Sequence, residues 1–176
     1  MFRTENSHNR LHVVLFADIV GFTAWSANRQ PSEVFQLLET IYGAFDVAAR
    51  ARNVFKVETI GDCYGRFHLM FLLFSLLFGS TLPCFSHPSP TNYSSVAVAG
   101  LPRPQKFHAV IMVKFADECR RELSTELQNL APTLGAETLK LQLRIGLHTG
   151  SVTAGVLRGD KARFQLFGDS MNTASR

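Results

Sequence analysis

Two aspartates carry the clearest chemical suggestion in this chain. Leu11–Ala17 is an apolar, β-branched run that leads into Asp18, and the alternating run Val54–Ile60 leads through Gly61 into Asp62. Hard divalent cations take oxygen ligands, and two carboxylates offered at strand ends suit a two-magnesium site for phosphoryl transfer, where the ions clamp the attacking and leaving oxygens. Either aspartate alone reads more readily as a turn residue or a helix cap. Other polar residues that stand out are Glu58 in the second run and Gln165, Asn172 and Arg176 near the C-terminal end, with Lys161 and Arg163 in a polar loop. His148 lies at a glycine-flanked strand end, where packing accounts for it.

The elements that must position these residues follow from periodicity. After the first strand, Pro31 with Ser32 and Glu33 marks a helix start, and Val34, Leu37, Leu38, Ile41, Phe45 and Ala48 recur at helical spacing through about Arg52. Val54–Ile60 alternates as a strand, Gly61-Asp62 turns, and Cys63-Tyr64 begins another. Strand character resumes at Val96–Gly100, and a helix is expected from about His108 to Leu123. Leu139–His148 reads as a strand, with Ser151–Leu157 as its hairpin partner after Gly150. Phe164–Phe167 is short and apolar, and Gly168-Asp169-Ser170 opens a helix that reaches Arg176. Hairpins mixed with long helices predict an α+β domain, its helices packed on a mainly antiparallel sheet. Trp25 and the phenylalanines are expected in the core or at an interface.

Composition limits the alternatives. With 176 residues, 46% hydrophobic and 18% charged, the chain can bury one core and is not disordered as a whole. The first ten residues are polar and are expected to be disordered; they do not resemble a signal peptide. A net charge of +4 with no basic stripe gives no support to nucleic acid as a partner. Three scattered cysteines, Cys63, Cys84 and Cys119, fit reduced thiols and a cytoplasmic setting. Residues 67–82 form an apolar run that Pro83 stops short of the roughly 20 residues a membrane-spanning helix needs.

Four segments together resemble the catalytic domain of class III nucleotidyl cyclases, guanylyl cyclase type. Phe16-Ala-Asp-Ile-Val-Gly-Phe-Thr23 resembles the first metal motif and Lys56-Val-Glu-Thr-Ile-Gly-Asp62 the second. Arg144-Ile-Gly-Leu-His-Thr-Gly150 with Ala154-Gly-Val-Leu157 resembles the central hairpin, and Phe164–Arg176 the third motif. The resemblance implies a ferredoxin-like cyclase fold and conversion of GTP to 3′,5′-cyclic GMP and pyrophosphate, in intracellular cyclic-nucleotide signalling. It implies two Mg²⁺ or Mn²⁺ ions on Asp18, Asp62 and the backbone carbonyl of Ile19. Glu58 matches the carboxylate that accepts from guanine N1 and N2, and Gln165 stands where guanylyl cyclases carry Cys and adenylyl cyclases Asp. Asn172 and Arg176 match the pair that orients the ribose and stabilises charge at the α-phosphate, while Lys161 and Arg163 are candidates for the triphosphate. The family works as a homodimer or heterodimer, with metals from one subunit and base and ribose contacts from the other. The competing readings are an adenylyl cyclase and a non-catalytic dimerisation or regulatory module.

The resemblance runs over 11–176 and skips residues 65–95, a hydrophobic then Pro/Ser-rich stretch. It reads as an insertion, either a retained intron or a genuine hydrophobic segment that contacts membrane or a partner, cutting a strand that would otherwise join Cys63-Tyr64 to Val96. The family's domain also continues beyond Arg176, with further strands and a phosphate-contacting lysine that has no counterpart here. The chain is therefore expected to be impaired, and to be cytoplasmic or, as part of a longer protein, at the cytoplasmic face of a membrane.

Overall fold

A computed structural model describes residues 11–60, 94–101, 104–158 and 162–176. The first strand, β1, spans His12–Val20, and a five-residue helix α1 (Phe22–Ser26) follows at once. Helix α2 covers Pro31–Ala51, β2 Phe55–Ile60 and β3 Ser94–Ala99. Helix α3 covers His108–Leu134, a 3₁₀ turn Ala136–Lys140, β4 Gln142–Gly150, β5 Thr153–Arg158, β6 Ala162–Phe167 and helix α4 Asp169–Ser175. The expected α+β architecture is observed.

Four strands form one antiparallel sheet in the order β2-β3-β1-β4. Alternation along β1 sends Val13, Leu15, Ala17 and Ile19 to one face, where they join the buried stripes of α2 and α3. Helix α2 begins as its sequence dictates, with Pro31 in the first turn and the Glu33 carboxylate accepting the Gln30 backbone N–H at 2.9 Å. Its buried residues are Val34, Leu37, Leu38, Ile41, Phe45, Ala48 and Ala49. Helix α3 runs well past the expected end at Leu123, because Leu123, Leu127, Leu130 and Leu134 continue its buried stripe. At its end the Trp25 Nε1–H donates to Thr138 Oγ1 at 3.2 Å, and that hydroxyl donates to the Leu134 carbonyl. This links α1, α3 and the 3₁₀ turn.

The other face of the sheet corrects the sequence reading. β5 was expected to pair with β4, but it pairs with β6 in a separate two-stranded ribbon, Gly155 opposite Gln165. Val152, Ala154 and Leu166 pack instead beneath Val14, Val96 and Val98. Strands apolar on both faces need a second cover, and burying that surface outweighs lengthening the sheet edge.

β2 and β3 are hydrogen-bonded neighbours, with Ile60 opposite Ser94. Residues 61–93 therefore connect two adjacent antiparallel strands, and the expected strand at Cys63-Tyr64 lies outside the described residues. Among the described residues no helix is long and apolar enough to cross a membrane; the 67–82 run and residues 1–10 are not among them.

Candidate active site

Asp18 does not follow β1, as its sequence context implied, but lies within it, paired with Ser94 on β3 and Arg144 on β4. The ladder on both sides fixes its backbone, so the carboxylate is held by the sheet rather than by a loop. β1 and β2 run in the same direction, each antiparallel to β3. Ile60, Ser94, Asp18 and Arg144 thus form one row across the sheet. With neighbouring strands about 4.8 Å apart, Ile60 lies roughly 10 Å from Asp18. The strand leading to Asp62 therefore ends level with Asp18; Asp62 itself lies outside the described residues.

Past Asp18, the side chain of Ile19 is buried in the helix-side core, which leaves its backbone as the available ligand group. Gly21 then takes φ +86° at the start of α1, a left-handed conformation that accounts for glycine in the Asp18–Thr23 motif.

The Arg144 guanidinium donates to Asp18 Oδ2 at 2.7 Å. The carboxylate side chain is 19% exposed and the guanidinium side chain 71%. On the helix side, Tyr42 lies near enough for the Asp18 charge to act on it. Burial chiefly raises its hydroxyl to about 12; the Ser95 hydroxyl opposes the rise, and Asp18 adds to it. The Lys56 ammonium sits 5.2 Å from the Tyr42 ring centroid and pairs with Asp46, tying the first residue of the second motif to α2.

Asn172 and Arg176 lie exposed on the far side of the sheet from α2, at α4. That helix rests directly on β4: a Cβ built on Gly146 would stand 2.0 Å from the Ala174 carbonyl oxygen, and one on Gly150 2.2 Å from Ser170 Oγ. Ser170 in turn donates to the Ser151 carbonyl at 2.9 Å. Because Ser170 meets Gly150 and Ala174 meets Gly146, α4 runs antiparallel to β4, its end directed toward Arg144. Glu58 is placed opposite Val96 on β2, Gln165 opposite Gly155 and Arg163 opposite Leu157; their side chains, and Lys161 entirely, lie outside the described residues.

The residues present fit a divalent cation on one side. Asp18 offers a fixed, partly exposed oxygen, and a cationic group already rests on it. No group of three His, Cys, Asp or Glu forms a ready site among the described residues, so a complete site depends on Asp62. Sequence reasoning gave Arg144 no role, although a lone cation between Leu143 and Ile145 in an apolar strand was a signal. It also missed Tyr42, whose helical spacing marks it only as core.

The family model described as "Adenylate and Guanylate cyclase catalytic domain" matches residues 5–68 and 93–176. The chain is 33% identical over 163 residues to guanylate cyclase soluble subunit beta-2 of Rattus norvegicus, covering 93% of this chain and 18% of that protein. It is 36% identical over 167 residues to the receptor-type guanylate cyclase Gyc76C of Drosophila melanogaster, covering 94% of this chain and 9% of that one. It thus spans a small part of these relatives. Among solved structures, the guanylate cyclase domain of RhGC from Catenaria anguillulae, in complex with GTP, superposes with a TM-score of 0.64 at 28% identity, covering 94% of this chain and 70% of that one. The guanylyl cyclase Cya2 gives 0.71 at 18% identity, covering 94% and 68%, a likeness of fold.

Proposed function

Since the chain belongs to the adenylate and guanylate cyclase catalytic-domain family, we propose that it is built to convert GTP to 3′,5′-cyclic GMP and pyrophosphate. The observation that carries this reading is the row that sets Asp18 level with the end of the strand leading to Asp62. The ribose 3′-oxygen forms the new bond to the α-phosphorus, pyrophosphate departs, and the hydroxyl proton is lost to solvent. Mg²⁺ or Mn²⁺, when bound by Asp18, Asp62 and the Ile19 carbonyl, supplies electrostatic stabilisation of the entering and leaving oxygens.

The remaining roles belong to this chain's own side chains. Glu58 accepts from guanine N1 and N2 together, which adenine cannot offer, and the Gln165 amide donates to guanine O6. Asn172 orients the ribose, and Arg176, permanently charged with planar donors, offsets charge gathering on the α-phosphate. Lys161 and Arg163 are assigned to the triphosphate, as is Arg144 once it leaves Asp18. Exposed Asn172 and Arg176 suit a site completed across a dimer of cyclase domains, the metals on one subunit and these two residues on the other. We propose that such a domain serves cyclic-nucleotide signalling, on the cytoplasmic side where the parent protein crosses a membrane.

Turnover of GTP and of ATP with Mn²⁺ tests the proposal, in the chain as it stands and in a variant lacking 65–95. We expect cyclic GMP as product, weakly from the full chain and faster from the variant, and a shift away from GTP in Glu58→Lys. A preference for ATP in both proteins refutes the base assignment. Nucleotide binding with no cyclisation by the shortened variant would favour a regulatory module instead.

A further inference from the structure

We propose that Arg144 acts as a built-in counter-cation, holding Asp18 in the metal-free protein and competing with the divalent ion for it. The inference rests on the reading of Asp18 as a metal ligand and adds to that reading what guards the ligand. Asp18 and Arg144 are directly opposed on β1 and β4, so their side chains leave the same face, and the guanidinium reaches Oδ2 at 2.7 Å. The asymmetry of exposure gives the pair its direction. The carboxylate is fixed and 19% exposed; the guanidinium is 71% exposed on a long, flexible stem. When a second cation arrives, the arginine is the partner that moves, because leaving costs it little and water solvates it at once. A divalent ion brings twice the charge to the same oxygen and displaces it, but must first overcome the ion pair. Arg144 thereby lets the Asp18 carboxylate stand on the sheet without a metal, at the expense of metal affinity.

The test is Mn²⁺ binding to the whole chain, read by the loss of the free-ion electron paramagnetic resonance signal and requiring no turnover. Arg144→Gln and, as a second uncharged variant, Arg144→Met should each bind Mn²⁺ about two- to fivefold more tightly, the span that coupling within an exposed ion pair allows. Arg144→Lys, which keeps the charge, should return close to the wild-type affinity. The gain should shrink as salt is raised. Unchanged or weaker Mn²⁺ binding in both uncharged variants overturns the proposal. Asp18→Asn separates the two readings: if it leaves Mn²⁺ binding unaltered, Asp18 is not a ligand and the metal assignment itself falls. If it weakens binding while the Arg144 variants match wild type, only the counter-cation role is lost.

Discussion

Replacing Gly146 by alanine tests how α4 is positioned. An added Cβ would stand 2.0 Å from the Ala174 carbonyl oxygen, against ordinary contact at 3.4 Å or more, so the helix and strand must part by about 1.4 Å. The obstacle is backbone and has no rotamer to escape into. Overpacking of this kind costs about 1–3 kcal/mol. Alanine also narrows the unfolded ensemble, which alone would stabilise by about 0.4–1 kcal/mol, so a net loss of about 1–2 kcal/mol is expected. Gly155 is the control, since a Cβ there meets nothing within 4 Å. Urea unfolding followed by circular dichroism gives both numbers. Because Asn172 and Arg176 ride on α4, a shift above 1 Å should also lower turnover by about a hundredfold, the sensitivity expected of misplaced catalytic groups. Equal stability of Gly146→Ala and Gly155→Ala would show that α4 does not press on Gly146 in this way.

Thr138→Val should cost about 1–3 kcal/mol in the same assay, because the buried Trp25 indole N–H loses its acceptor, and Thr138→Ser should recover most of it. Stability should also fall in alkali. Burial raises Tyr42 to about 12 from 10.0 and Cys119 to about 12 from 9.0, so the unfolded chain gives up these protons first. Their contribution is complete below about pH 9 and is lost progressively toward pH 12. Tyr42→Phe should flatten the part of that loss that begins near pH 10; an unchanged slope in that variant would show that Tyr42 is not its source.

Much of this fold could be read from local pattern. The α2 stripe, the Pro31 start and the β2 alternation each state one periodicity without a competing signal. Most of what escaped reading depended on tertiary partners. Nothing within Thr153–Leu157 says that it will pair forward with β6 rather than back with β4; that choice is made by the apolar underside of β1 and β3, distant in sequence. The extension of α3 is the exception, since Leu127, Leu130 and Leu134 carry it in the local pattern. At the site, Asp18 was found because its flanking residues formed a recognisable segment, whereas its partnership with Arg144 exists only through strand register. Glu58 and Gln165 could be placed on strands and given register, and Asn172 and Arg176 on a helix whose approach depends on Gly146 and Gly150.

The neighbourhood of β2 and β3 in the sheet makes their connection a natural port. Chain added there enters and leaves through adjacent ends, so the sheet order is indifferent to its length. Closure entropy grows only logarithmically, and a tenfold longer connection costs about 2 kcal/mol. Such a joint could be cut as readily as it can be lengthened. With β3 clasped between β2 and β1, a chain severed between 61 and 93 would present two complementary fragments able to find each other again, and the cyclase scaffold could be assembled from halves.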